Sequence, residues 1–279
     1  MYLHVSRPGP APAGTLISVP DSIVDYEVLE PWGEGTGRFV CRPPDRLGWP
    51  GPVLVTELAV DAEGWQQLCD QLIRLNSAAG AGMVQAIELG PDLATGGVFV
   101  ATEHPEGGSL ARPTAPLDTA ARRRAVEAAA RAADALHEMG LAHGAIHRGT
   151  VLMAERGALL DLPCLDAPAG EAIHVASWPE LEAVDPEVLG GEAPSRASDI
   201  WAIGATLHHA LSDRPLYPGI DADQPVTAVQ RVMFTRPQVD RAIRSSLVEL
   251  IEACLAVDPA DRPARARDVA DRLAAEGAT

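Results

Sequence analysis

Leu141-Ala-His-Gly-Ala-Ile-His-Arg-Gly-Thr150, followed by the apolar Val151-Leu152-Met153, is the stretch on which the reading of this chain turns. Alone, it reads as a histidine-containing loop between a helix and a hairpin, and loops so placed often hold catalytic groups. Upstream, Asp118 caps an Ala-rich helix that runs to about Met139 and is stopped by Gly140. Downstream, Gly157–Leu162 reads as a short strand containing Asp161. Residues 163–193 carry Pro and Gly and are too long for an ordinary connection, so they read as a functional or formerly functional loop. Ala197–Leu211 is strongly apolar and reads as a buried helix, with further helices over 226–233, 241–255 and 264–275.

The first hundred residues have a different texture. Residues 1–20 form a Pro- and Gly-rich tail. Strand patterns follow at 26–31, 38–42, 53–60, 83–89 and 97–102, with a turn at Gly33-Glu-Gly35-Thr-Gly37. Asp61 opens a helix with an apolar stripe at Trp65, Leu68, Leu72 and Leu75. Strands grouped first and helices second imply an α+β chain of two lobes. The expected boundaries are a small five-stranded lobe with one helix over 21–103 and a large, mainly helical lobe over 104–279.

Composition narrows the chemistry. The chain has 279 residues, is 47% apolar and carries a net charge of −17. Nucleic-acid backbones and anionic membranes demand a basic face, so neither is expected as a partner. All 22 basic residues are arginine; lysine is absent, and asparagine occurs once, at Asn76. Cys41, Cys69, Cys164 and Cys254 form no C-x-x-C pair, so neither a disulfide framework nor a zinc knuckle is expected. No signal peptide or membrane-length apolar run is visible, and a cytoplasmic setting is expected. His143/His147 and His208/His209 do not meet a zinc-ligand pattern and read as structural or solvated. Arg122-Arg123-Arg124 reads as a solvated helix face.

The order of motifs resembles the bilobal protein kinase-like fold, in particular bacterial kinases of the eukaryotic Ser/Thr type, over about residues 25–275. Leu141–Thr150 resembles the catalytic loop, whose pattern is His-Arg-Asp-x-x-x-x-Asn. Gly33-x-Gly35 with Val40 resembles the Gly-rich loop, with Arg38 at its third glycine. Val53–Leu58 resembles the strand that carries the phosphate-binding lysine. Thr102–Leu110 resembles the gatekeeper and hinge, Asp161-Leu-Pro163 the Asp-Phe-Gly motif, and Asp185-Pro-Glu187 the Ala-Pro-Glu motif. Ala197-Ser-Asp199-Ile-Trp-Ala-Ile-Gly204 is similar to the buried central helix of the large lobe, and Cys254–Pro263 closes the pattern.

The resemblance divides the residues by role. It implies architectural duties for Asp199 (receiving the loop's N–H groups), for a buried Glu187–Arg262 ion pair, and for His143 and Leu162 in an apolar column. It also implies lost chemistry. Thr56 stands at the strand lysine, Ala145 at the catalytic aspartate, Thr150 at the metal-binding asparagine and Pro163 at the glycine after Asp161. Phosphoryl transfer needs charge neutralised on the phosphates and an oriented acceptor hydroxyl. Arg38 and Arg42 could reach the pocket but read as solvated strand charges. Pro105, at the hinge position that would offer adenine an N–H, has none.

The expectation is therefore a chain that is no enzyme: a pseudokinase serving as a protein-interaction and regulatory scaffold. ATP and magnesium binding are expected to be weak or absent, with Gly33, Gly35, Thr102, Glu103 and Asp161 as residual pocket candidates and Asp161 as the one metal candidate. The expected partner is a protein: a kinase, a phosphopeptide-reading domain or a biosynthetic enzyme. Two alternatives are a nucleotide sensor without transfer and a transferase that uses the cleft for another group.

Overall fold

The computed structural model describes residues 20–32, 37–58, 69–70, 72–76, 82–162, 178–219 and 224–277. The tail over 1–19, Gly33, Gly35 and Pro163 lie outside the described residues. The described chain divides into two compact units, one of residues 20–76 and 84–105, the other of residues 82–83 and 106–277.

The smaller unit is an antiparallel sheet. Its strands are β1 (Ser22–Ile23), β2 (Tyr26–Pro31), β3 (Arg38–Arg42), β4 (Val53–Leu58), β5 (Ala86–Pro91) and β6 (Val98–Glu103), in the spatial order β1-β2-β3-β4-β6-β5. The two-residue β1 is the strand that alternation does not reveal. Successive side chains of a strand face opposite sides, and one face makes the core: Tyr26, Cys41, Val53, Val55, Phe99 and Ala101, with Ile23 beside them. Tyr26 meets Phe99 edge-on at 5.4 Å between ring centroids, and burial pushes the Cys41 thiol up to about 12. The opposite face carries Arg38 and Val40 of β3 and Leu54 and Thr56 of β4, in the register Arg38↔Thr56 and Val40↔Leu54. Of the helix expected after Asp61, residues 69–70 and 72–76 are described and helical, with Leu72 and Leu75 buried.

The larger unit is helical. Its elements are α1 (Thr119–Glu138), the hairpin β7 (Val151–Ala154) with β8 (Gly157–Leu160), α2 (Trp178–Leu181), α3 (Pro186–Leu189), α4 (Arg196–Leu211), α5 (Pro225–Phe234), α6 (Ser245–Cys254) and α7 (Ala266–Ala275). Asp118 caps α1 by accepting from the Ala121 N–H, which satisfies one of the donors a helix start leaves open. Ala125, Ala129, Ala130, Ala132 and Ala133 are buried, so small side chains let α1 lie close against α4 and α7. Arg123 is buried as well and donates to the Leu273 carbonyl, while Arg122 Nη1 reaches the Ala210 carbonyl at 3.3 Å. Two of the three consecutive arginines thus tie helices together instead of forming a solvated face.

Helix α4 is buried from Ser198 to Ala210 and opens with a capping box between Ser195 and Ser198. Gly204 is required by packing: a Cβ there would meet the Cys254 Cβ at 2.5 Å. Its neighbour α6 could not keep its place against a larger residue. Among the described residues, no helix is long and apolar enough to cross a membrane.

Candidate functional site

The loop 141–150 leaves α1 at Gly140, whose φ of +74° turns the chain out of the helix. Beyond it the backbone is fastened from behind by Asp199, the third residue past the first residue of α4. Asp199 Oδ2 accepts from the His143 N–H at 2.7 Å, and Oδ1 from the Gly144 N–H at 2.8 Å. His137 Nε2, from the last turn of α1, lies 2.8 Å from the same carboxylate. The Asp199 side chain is 1% exposed, and three donors compensate that buried charge. Gly144 sits at φ +75°, a conformation that favours glycine, and a Cβ there would press on Pro194 at 3.1 Å.

His143 is buried and joins the loop to the strand pair. Its Nδ1 accepts from the Ala145 N–H at 3.2 Å, and its Nε2 meets the Asp161 carbonyl at 2.9 Å. That pattern is met by a neutral ring protonated at Nε2. Burial holds its pKa below the usual histidine range, against the opposing pull of Asp199. The histidine is therefore a spacer that carries no charge, and Asp161 is placed through its backbone. The Asp161 N–H also donates to the Thr150 carbonyl at 2.8 Å. Its Oδ1 accepts from the Leu162 N–H at 2.9 Å.

The front of the loop is built differently. Ala145 offers a methyl group. The Thr150 hydroxyl accepts from the His147 N–H at 3.0 Å and lies 2.7 Å from the Ala145 carbonyl, to which it donates. Its proton and one of its lone pairs are used inside the turn. His147 Nδ1 accepts from the Gly149 N–H at 3.1 Å, so the neutral ring carries its proton on Nε2. Burial lowers the His147 pKa, while Glu180, 3.8 Å from Nδ1, acts to raise it. Beside this face lies a cavity of about 250 Å³ lined by Arg112, His147, Arg148, Glu180, Thr206 and His209, among others. Arg148 is anchored by its Nη1 on the His209 carbonyl at 3.1 Å.

Magnesium wants oxygens that remain open to it. Thr150 gives its hydroxyl to the loop, and among the described residues no three His, Cys, Asp or Glu side chains gather into a metal-holding group. Thr150 as placed offers magnesium a hydroxyl whose proton is already given to the Ala145 carbonyl.

The expected Glu187–Arg262 pair is corrected by the geometry. Glu187 is exposed, and Arg262 instead grips Asp185, whose carboxylate also accepts the Glu187 N–H at 3.1 Å as the cap of α3. Both partners of the Asp185–Arg262 pair are 1% exposed. Arg262 also donates to the Ala256 and Ala197 carbonyls, each at 2.9 Å, and lies 5.1 Å over the Trp201 ring. A carboxylate at the start of a short helix turns back onto the helix N–H groups, and this holds Asp185 inward while Glu187, two residues on, turns to solvent. Sequence reasoning also misses His137 and Glu182. Glu182 is buried, lies 3.0 Å from His209 Nε2 and accepts the Leu216 and Tyr217 N–H groups.

In the smaller unit, Thr102 is buried and its hydroxyl lies 3.4 Å from the Leu54 carbonyl. Glu103 is held by Gln85, through its N–H to the Gln85 carbonyl at 3.0 Å and its carboxylate to the Gln85 N–H at 2.7 Å. The two arginines of β3 part company. Arg42 is exposed and pairs with Glu27. Arg38 is half-buried and places its Nε 3.1 Å from the Thr56 hydroxyl, which corrects its reading as a solvated strand charge.

Residues 82–273 match the protein kinase domain family model. The serine/threonine-protein kinase PknK of Mycobacterium tuberculosis (strain ATCC 25618 / H37Rv) is 30% identical over 173 residues, which covers 59% of this chain and 15% of PknK. A Corynebacterium efficiens protein described as serine/threonine-protein kinases drp72 is 29% identical over 159 residues, 54% of this chain and 29% of that one. This chain thus spans only a small part of the length of these curated relatives. The crystal structure of the Mycobacterium tuberculosis PknI kinase domain superimposes with a TM-score of 0.63 at 20% identity, covering 91% of this chain and 97% of that one. These findings overturn the expectation that the chain is no enzyme: the family match is to the protein kinase domain, and the relatives are named serine/threonine-protein kinases.

Proposed function

This chain belongs to the protein kinase domain family, and from that premise we propose that it is a regulatory, protein-binding member whose phosphotransfer is slow. The observation that carries the reading is the loop itself. Asp199, itself faced by His137, and His143 hold its backbone in a hydrogen-bonded frame, yet the residue that the resemblance sets at the proton-accepting position is Ala145. A frame without its base still positions an acceptor hydroxyl, and positioning and electrostatics make up most of phosphoryl-transfer catalysis. What it lacks is proton removal, worth about 10²–10⁴-fold. His147 does not supply it, because its free nitrogen lone pair faces the Gly149 N–H.

The binding half of the proposal is supported by the cavity beside the loop. Arg112, Arg148 and Glu180 give its lining charges of both signs beside apolar surface, which suits a peptide segment that carries both polar and apolar side chains. The partner is accordingly proposed to be a protein, with the large unit presenting the surface.

The test is phosphate transfer to a generic protein acceptor, measured by radiolabel, for the wild type and Ala145→Asp. Restoring the carboxylate is expected to raise the rate by about 10²–10⁴-fold. An unchanged rate in a folded Ala145→Asp protein would show that Ala145 does not occupy the proton-accepting position.

A further inference from the structure

We infer that the cavity beside the loop reads a phosphate monoester carried on a side chain of the partner protein, seated between Arg112, Arg148 and His147. This rests on the proposal that the cavity binds a protein segment, and it names the group that the cavity selects.

The two arginines stand apart in an acidic chain of net charge −17. Arg42, Arg46, Arg131 and Arg265 each meet a carboxylate. Arg112 and Arg148 do not: among the described residues, no acid pairs with either. Backbone groups hold them in place instead. Arg148 Nη1 donates to the His209 carbonyl at 3.1 Å, and the Arg148 carbonyl accepts from the Ala111 N–H at 2.9 Å. The Arg112 N–H donates to the Ser109 hydroxyl at 3.2 Å. Two fastened segments thus bring both guanidinium groups to the lining of one cavity of about 250 Å³. Burial lowers the Arg148 pKa, against the opposing pull of Asp213, so this cation is short of compensating negative charge. An anion entering the cavity supplies it.

The third donor is His147. Its Nδ1 accepts from the Gly149 N–H at 3.1 Å, which leaves the ring proton on Nε2, and among the described residues nothing accepts that proton. The remaining histidine of the lining, His209, is occupied, with Nε2 3.0 Å from the buried Glu182. Glu180 is the acid of the lining and opposes any anion. With two cations against one acid, the net pull on a phosphate monoester near its dianionic form is roughly twice that on a carboxylate. Donors arriving from separate segments also suit the three terminal oxygens of a phosphate better than the two coplanar oxygens of a carboxylate. Ala111 and Ala183 give apolar wall for the carbon stem that carries the phosphate, which a free phosphate ion would leave uncovered.

The experiment is fluorescence polarisation with short degenerate peptides centred on phosphoserine, glutamate or serine, and with inorganic phosphate as competitor. The proteins are the wild type, Arg112→Ala, Arg148→Gln, Glu180→Gln and, as a control at an exposed arginine outside the cavity, Arg267→Ala. The wild type is expected to bind the phosphoserine pool about tenfold more tightly than the serine pool, and Arg112→Ala to lose about that factor, as for a hydrogen bond to a charged group. Glu180→Gln should tighten the phosphoserine pool, Arg267→Ala should match the wild type, and inorganic phosphate should compete only weakly. Arg148→Gln gives up a bond to the His209 carbonyl, so its melting temperature is measured alongside; Arg112, exposed and bonded only through its backbone, tests the site without that complication. Equal affinity of the wild type for the phosphoserine and serine pools, or an unchanged affinity in Arg112→Ala, overturns the inference. So does a glutamate pool that binds as well as the phosphoserine pool, or inorganic phosphate that binds as tightly as the phosphopeptides. If the serine pool binds the wild type as well as the phosphoserine pool, the inference falls and the protein-binding proposal stands. If no pool binds, both fall.

Discussion

The loop Leu141–Thr150 has a back and a front, and they are made by different rules. At the back, Asp199 takes two loop N–H groups and faces His137, all in a dry setting. At the front, Ala145 presents a methyl group and Thr150 folds its hydroxyl into the turn. Changing a residue at the back strands a buried charge or an orphaned N–H, which costs stability at once. Changing one at the front removes a group that was reaching for something outside the protein, and the loop can close over the loss. Architecture and chemistry can therefore diverge within ten residues, and a preserved frame says little about the rate it supports.

The comparison can be broken most directly at the Asp185–Arg262 pair, which belongs with the back of the loop in kind. Removing one member of a buried pair typically costs ~3–5 kcal/mol. Arg262→Ala and Asp185→Ala are each expected to lower the melting temperature by about 10 °C or to give insoluble protein. Glu187→Ala, at an exposed position, should stay within about 0.5 kcal/mol of the wild type. If Glu187→Ala proved the damaging change and Asp185→Ala the mild one, the Asp185–Arg262 pairing would be wrong.

That example also shows how far the sequence can be read. The two-unit α+β organisation is legible because Asp199, Gly204 and Arg262 each answer a demand that few side chains meet: three donors to one buried carboxylate, a helix contact with no room for a Cβ, a guanidinium bonded to two carbonyls and an acid. Which acid Arg262 chooses is not legible. Asp185 and Glu187 stand two residues apart, and the choice is made by which one caps α3. His137 escapes notice because a histidine in the last turn of a helix has a ready explanation as a cation at the C-terminal end. Arg38 is misread because the register that sets it against Thr56 depends on the connection between β3 and β4, not on either strand's own pattern.

A second prediction probes buried histidine. Burial and the neighbouring His209 lower the His208 pKa to about 4, against the opposing pull of Glu182 and Asp240. An unfolded histidine titrates near 6.5, so between about pH 6.5 and pH 4 the unfolded chain binds more protons than the folded one. The stabilisation is complete above the unfolded value and is lost as pH falls through that window, up to about 3 kcal/mol in total. His208→Gln keeps an acceptor for the Asp240 N–H, which His208 Nε2 now accepts at 3.2 Å, and removes the titration. Denaturant melts at pH 7 and pH 4.5 should therefore show a shallower acid loss for His208→Gln than for the wild type. Parallel pH profiles would assign the acid sensitivity elsewhere, with buried His143 the next group to test.

The smallest expected effect concerns the front of the loop. Thr150→Val keeps the shape and removes the hydroxyl, leaving the His147 N–H and the Ala145 carbonyl without their present partner. Both groups are only partly buried, so water can take over some of the bonding, and the cost should be about 1–2 kcal/mol. Thr150→Ser, which retains the hydroxyl, should be close to neutral. The informative measurement is the effect of Thr150→Val on transfer in the Ala145→Asp background. If the hydroxyl serves only to close the turn, stability falls by that small amount and the recovered rate falls only as far as the turn loosens, with no change in its dependence on magnesium concentration. If the rate instead collapses and its magnesium dependence shifts, Thr150 reaches the metal after all, and the front of the loop is less detached from the chemistry than its internal hydrogen bonds imply.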